Sequence, residues 1–215
     1  MLLFAASIGL SACTSVLFTE PQPAGVSNEK RFPEELLGTY AGKSDDTIIV
    51  RQTSYLRNEE KDTYALKSQL DGKTLFIKNG LIYDLSEDAK NGFPYTENQD
   101  TLSYHIHRYQ EVGLSDSVVL RRYQGYYFLS LKGDHDLWQT MILSKSKSNR
   151  LTSRMIDGEN EKEVAALKEV MQVETVLNSD STVNYYYATP TPQELMDFIQ
   201  GGGFTSEVFR MQKIR

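Results

Sequence analysis

The chain has 215 residues, 40% of them hydrophobic, and a formal net charge of −6. A mildly acidic protein with scattered Lys and Arg carries no electrostatic footprint for nucleic acid or anionic lipid, which excludes both as charge-driven partners. The apolar content supports a sizeable core, which excludes a disordered chain.

Residues Leu2 to Ala12 carry no charge and are almost wholly apolar or small. At about 11 residues the run is too short to span a hydrocarbon core of about 30 Å, but it suits the h-region of a secretory signal. It closes on Leu10-Ser11-Ala12-Cys13, which resembles the lipobox of bacterial lipoproteins. That resemblance implies that residues 1–12 are a signal peptide cut before Cys13. It also implies that the Cys13 sulfur is diacylated and that the new amino terminus is often acylated too. Met1 to Ala12 hold no Lys or Arg, whereas a signal needs a positive n-region, so the start is expected a few residues upstream. Cys13 is the single cysteine, so lipidation leaves no thiol for a disulfide, a nucleophile or a thiolate metal site. Two or three acyl chains, at about 0.8 kcal/mol per buried methylene, anchor stably. The implied address is the bacterial cell envelope, with the body in the periplasm or at the cell surface.

Thr14 to about Arg31 has the composition of a linker, with Pro21, Pro23, Gly25, Ser27 and Asn28 among few apolar residues. The expectation is a lipid-anchored tether over 13–31 and a single β-rich domain over 32–215. The body opens at Phe32-Pro33-Glu34-Glu35-Leu36-Leu37-Gly38 with one short helical turn. Thr47–Leu56 then reads as a strand, Arg57–Asp62 as a polar break, and Tyr64–Leu70 as the next strand. Asp71-Gly72 and Asn79-Gly80 flank Lys73–Lys78 and lead to Leu81–Leu85; both dipeptides signal hairpins, because type I′ turns need positive φ at both central residues. Ser86–Asp100 is a polar loop, and Thr101–Val112 resumes as strand. Ser117–Tyr123 and Tyr126–Lys132 flank Gln124-Gly125, and Leu137–Ser144 and Arg150–Ile156 follow. Val118–Leu120, Tyr126–Leu131 and Trp138 to Leu143 are apolar on both faces, which predicts central strands.

Two helices are predicted near the end. Asn160-Glu161-Lys162-Glu163 resembles a capping box ahead of a stripe of Val164, Leu167, Val170 and Met171. Thr191-Pro192-Gln193-Glu194 supplies a capping Thr, a first-turn Pro and a third-position Glu, with Leu195, Phe198 and Ile199 as the stripe and Gly201 as the stop. Val183–Ala188 and Phe204–Arg215 read as strands. The fold class is mainly β: an antiparallel meander closed as a barrel or packed as a two-layer sheet, with two short helices near the C-terminus. Gly38-Thr39-Tyr40 resembles the Gly-x-Trp opening of lipocalins, with Tyr in place of Trp. The Phe-Pro-x-x-Leu-x-Gly-x-Tyr entry is similar to that of uncharacterised envelope lipoproteins of Bacteroidetes-type bacteria, which implies an address and no biochemistry.

His105 and His107 sit two apart on a strand and face one way with Tyr109. Histidines so spaced can share a metal, and Asp134-His135-Asp136 lies in a turn that can deliver a third ligand. A polar strand face is the plainer reading of both. A Ser-His-Asp arrangement is defined by geometry and not order, but no Gly-x-Ser-x-Gly elbow is present. Gly201-Gly202-Gly203 follows a helix, so it is a stop and not a phosphate loop. Tyrosine is plentiful, 13 in all, and serves strands for packing and binding faces through its apolar body and polar tip.

The sequence therefore points to a non-enzymatic binding or assembly lipoprotein with no cofactor, held to the membrane through Cys13. The binding candidates are Tyr104, Tyr109, Tyr185 and Tyr187, for a sugar, a small amphiphile or an envelope protein. The alternatives are a structural subunit of an envelope complex, or a metal-assisted hydrolase using His105 and His107.

Overall fold

The computed structural model describes residues 14–42, 46–86 and 91–215. Cys13 and the signal segment lie outside the described residues.

The fold begins earlier than expected. Ser15–Phe18 (β1) is a strand that turns Val16 and Phe18 into the core. The tether expected over 13–31 is thus corrected from Thr14 onward. Its Pro and Gly content marks an ordered coil, whose backbone groups find partners as buried groups must. The Gln22 N–H donates to Ser130 Oγ at 3.1 Å, Arg121 binds the Pro21 and Pro23 carbonyls, and the Glu29 N–H donates to the Leu120 carbonyl at 2.8 Å. Glu34–Leu36 then makes the expected single turn, burying Leu36.

Gly38–Ala41 (β2), Thr47–Val50 (β3) and Ser54–Leu66 (β4) form an antiparallel run. Here the sequence expectation needs a second correction. Arg57–Asp62 is no break: β4 continues through it for 13 residues. Its partner is not the next strand but Thr101–Gly113 (β8), paired from Ser54↔Gly113 to Leu66↔Thr101. Between them, Leu75–Lys78 (β5) and Leu81–Asp84 (β6) form a separate hairpin, and Tyr95–Asn98 (β7) pairs with the start of β8. Asn79 and Gly80 both have positive φ, 52° and 77°, as the hairpin signal requires. Asp71-Gly72 joins no paired strands; the Asp71 carboxylate instead gathers the N–H groups of Lys73, Thr74 and Leu75.

Val118–Tyr123 (β9), Tyr126–Lys132 (β10) and Trp138–Lys145 (β11) are antiparallel neighbours. Arg150–Met155 (β12) extends β11, and the helix Glu161–Val170 (α1) follows. Val173–Leu177 (β13) and Val183–Ala188 (β14) make a hairpin, then come the helix Pro192–Gln200 (α2) and Ser206–Lys213 (β15). The sheet runs β13-β14-β1-β11-β12-β15-β2-β3-β4-β8-β7, with β10 and β9 branching from β11. It is mainly antiparallel and not closed into a barrel. The β1–β14 pair, Ser15↔Tyr185 to Phe18↔Ala188, is parallel and joins the two ends of the chain.

Strands β9–β11 are buried on both faces, as their apolar runs predict. Val119, Phe128, Trp138 and Ile142 meet β1 and the helices, whose Leu167, Leu195, Met196 and Phe198 close one core. Leu120, Leu129, Met141 and Leu143 face the other way, onto Tyr40, Ile48, Leu151 and Met211. A third, small core of Ala65, Ile82, Phe93, Leu102, Tyr104 and Ile106 lies on the far part of the β4–β8 ribbon. The α2 cap closes reciprocally: the Glu194 N–H donates to Thr191 Oγ1 at 3.3 Å and the Thr191 N–H to Glu194 Oε2 at 2.7 Å. In α1, Asn160 caps alone. Its third-position Glu163 is buried and accepts from the Asp157 and Thr205 N–H groups at 3.1 and 2.9 Å, fastening the helix to the chain before β15.

Candidate functional site: the open face of the long ribbon

Strand alternation sorts the β4–β8 ribbon into two faces. Lys61↔Ile106, Thr63↔Tyr104 and Ala65↔Leu102 share the face that holds the third core. Asn58↔Tyr109, Glu60↔His107, Asp62↔His105 and Tyr64↔Ser103 share the other. That second face is open to solvent: Tyr64 is 68% exposed, Tyr109 65% and Leu66 49%.

The polar groups between the two rings are ordered by one another. His105 places Nδ1 3.0 Å from Asp62 Oδ1 and Nε2 3.7 Å from Glu60 Oε2. His107 Nε2 is hydrogen-bonded to Asn58 Oδ1. Both imidazoles are thereby tied across the ladder to β4, at register positions between Tyr64 and Tyr109. At the far end a groove of about 300 Å³ opens, lined among others by Asp62, Tyr64, Pro94, Tyr95, Ser103 and His105. Ser103 and His105 share the face, yet His105 points Nε2 toward Glu60, on the side of Asp62 away from Tyr64 and Ser103.

The structure divides the predicted tyrosines. Tyr109 stands on the open face with His105 and His107, as the spacing requires. Tyr104 does not: alternation turns it into the third core, 5% exposed, where its hydroxyl donates to Asp84 Oδ2 at 2.8 Å. It packs in that core and also lines the groove beside Asp62 and His105. Tyr185 and Tyr187 lie on β14, separated from β8 in the sheet order by β1, β11, β12, β15, β2, β3 and β4. The Tyr187 hydroxyl donates to Glu174 Oε2 at 2.5 Å, and that bond pushes its pKa up. The intervening Tyr186 faces the helices, with Lys168 Nζ 4.8 Å from its ring centroid. His135 sits in the turn between β10 and β11 at φ 58°. Among the described residues no group of three or more His, Cys, Asp or Glu is arranged to hold a metal ion.

Asn58, Glu60, Asp62 and Tyr64 were not among the residues the sequence singled out. The usable signal is their period-two spacing, which matches His105, His107 and Tyr109 across the ladder. Two broad rings, three acceptor side chains and two imidazoles on one flat face can hold a ligand by stacking and charge-assisted hydrogen bonds.

No family model matches the chain, and neither a curated protein nor a solved structure matches it. Among the described residues no helix is long and apolar enough to cross a membrane.

Proposed function

We propose that the protein is a lipid-anchored component of a bacterial cell envelope that works by binding, with the open face of the β4–β8 ribbon as its contact surface. The observation that carries the binding part is the pair Tyr64 and Tyr109, both about two-thirds exposed, bracketing Glu60, Asp62, His105 and His107. Large rings left in water on an ordered face are the residues that contribute most in binding surfaces. The anchor part rests on the Leu10-Ser11-Ala12-Cys13 pattern. The ligand class that suits this face best is a sugar. The rings offer flat apolar area to its C–H faces, while Asn58, Asp62 and Glu60 accept from its hydroxyls.

Two experiments test the two parts. Mass spectrometry of membrane-extracted protein should find an acylated Cys13 at the mature amino terminus, and Cys13→Ala should leave the chain unprocessed or free of the membrane. Cleavage elsewhere with an unmodified thiol rules out the anchor. On an array of envelope glycans, the processed chain in detergent should bind, and Tyr64→Ala/Tyr109→Ala should weaken capture at least tenfold. Binding that survives the double change places the contact elsewhere.

A further inference from the structure

The two exposed rings of the ribbon face stand far apart along it. Tyr64 lies at the level of Ser103 and Tyr109 at the level of Asn58, six residues away along either strand. At about 3.4 Å per residue, the rungs that carry them are roughly 20 Å apart. No single sugar ring covers that distance. Between them run two rungs, Glu60↔His107 and Asp62↔His105, which hold hydrogen-bonding groups and no large apolar side chain. The cross-strand contacts from His105 to Asp62 and from His107 to Asn58 keep this track ordered.

The groove at one end has its own cause. Register puts Ser103 between Tyr64 on β4 and Thr96 on β7, and the smallest of the three side chains leaves a depression there. The groove of about 300 Å³ lies over it, with Pro94 and His105 also in its lining. One end of the track is therefore a seat beside a ring, and the other end is a bare ring.

On the reading of this face as a sugar site, we infer that its ligand is a linear, uncharged oligosaccharide lying along the ribbon. One ring of the chain sits in the groove against Tyr64, and a later ring stacks on Tyr109. Two weak contacts joined by one chain bind far more tightly than either alone, because the second forms at the effective concentration that the chain sets. The gain is close to nil for a chain too short to span the rings and greatest where its length matches the span. Strands also twist, so the two platforms are rotated relative to one another. Rings joined by rotatable glycosidic bonds follow that turn, and a rigid fused-ring ligand cannot. Charge fixes the rest. The two middle rungs carry the Glu60 and Asp62 carboxylates and no lysine or arginine. A chain of uronic acids brings like charge onto them, whereas the hydroxyls of an uncharged chain donate to them.

The test is titration calorimetry on the processed full chain, in a detergent without a sugar headgroup. The probes are cello-, malto- and chito-oligosaccharides from a single ring upward, with oligogalacturonates as the charged ladder. Affinity for at least one uncharged ladder should rise at least tenfold at the length that first reaches both rings, then level off. Tyr64→Ala and Tyr109→Ala should each flatten that rise, bringing long oligomers to within about threefold of short ones. Oligogalacturonates should bind at least tenfold more weakly at equal length, and Glu60→Gln/Asp62→Asn should narrow that gap. Circular dichroism confirms that each variant is folded. Binding that does not depend on length, a rise that survives both tyrosine changes, or a charged ladder that binds as tightly overturns the inference and leaves a sugar site standing. No binding of any ladder up to about 1 mM overturns the sugar reading and the inference with it.

Discussion

Arg121 donates from Nη1 to the carbonyl oxygen of Pro23 at 2.7 Å, joining positions 98 residues apart in sequence. The same guanidinium donates from Nε to Asn28 Oδ1 at 2.9 Å and from Nη1 to the Pro21 carbonyl. Burial pushes its pKa down, opposed by the Glu20 carboxylate, yet it stays charged at any physiological pH. One forked side chain thus holds the whole segment between β1 and the first helical turn. Arg121→Lys keeps the charge but cannot span these acceptors, so it should lower the unfolding free energy by about 1–3 kcal/mol. Urea titration with an unchanged slope checks this.

The first strand should be as necessary as any in the core. Phe18 is fully buried, and Phe18→Ala is expected to cost about 3–5 kcal/mol. A chain starting at Ser27 lacks β1 and should lose its cooperative melt, whereas one starting at Thr14 should keep it. Gly158→Ala probes the same joint, because a Cβ there would lie 2.0 Å from the Thr14 carbonyl oxygen. Its melting temperature should fall, and an unshifted melt would show that Thr14 is not packed on that loop.

Helix α2 offers a paired measurement. Thr191→Ala removes one half of the reciprocal cap and should cost about 0.5–2 kcal/mol. Phe198→Ala empties a position between the helix and Phe204, whose ring centroids are 6.1 Å apart, and should cost about 3–5 kcal/mol. Thermal melts of the two variants should preserve that order. Equal losses would mean that the cap and the ring do not act as separate contributions.

The Asp71 turn should register in acid. The N–H of Leu75, then those of Lys73 and Thr74, hold its carboxyl down to about 2. A folded pKa below the unfolded value of about 3.9 stabilises the fold above that value, and the contribution disappears as pH falls toward 2. Asp71→Asn should therefore destabilise the chain at pH 5 and differ little from it near pH 2. Denaturant melts across that range decide the matter; a gap that stays constant or widens in acid contradicts the assignment.

Local signals carried much of the architecture. The Asn79-Gly80 turn, the Thr191 cap and the two-faced apolar runs of β9–β11 all depend on neighbours in sequence, and each was legible there. What stayed hidden was set by distant partners. Arg57–Asp62 looks like a break because five of its six residues are charged, and only pairing with β8 makes an extended ribbon of it. Asp71-Gly72 carries a hairpin signal but spends it on a carboxylate-centred turn. The candidate face was half legible: His105, His107 and Tyr109 follow from period two, while Tyr64 and Asp62 needed the cross-strand register. Prolines at 21 and 23 suggested a linker because composition cannot reveal a buried arginine a hundred positions away.

The parallel pairing of Ser15–Phe18 with Tyr185–Ala188 also fixes a sequence of events in time. The earliest strand to be made cannot be seated until the chain roughly 170 residues later has appeared, about 10–35 s at ordinary rates of synthesis. During that wait Val16 and Phe18 have no core to enter. Once β14 arrives, β1 slots between it and β11 and both side chains are buried, so the amino-terminal strand of the described residues is among the last to be seated.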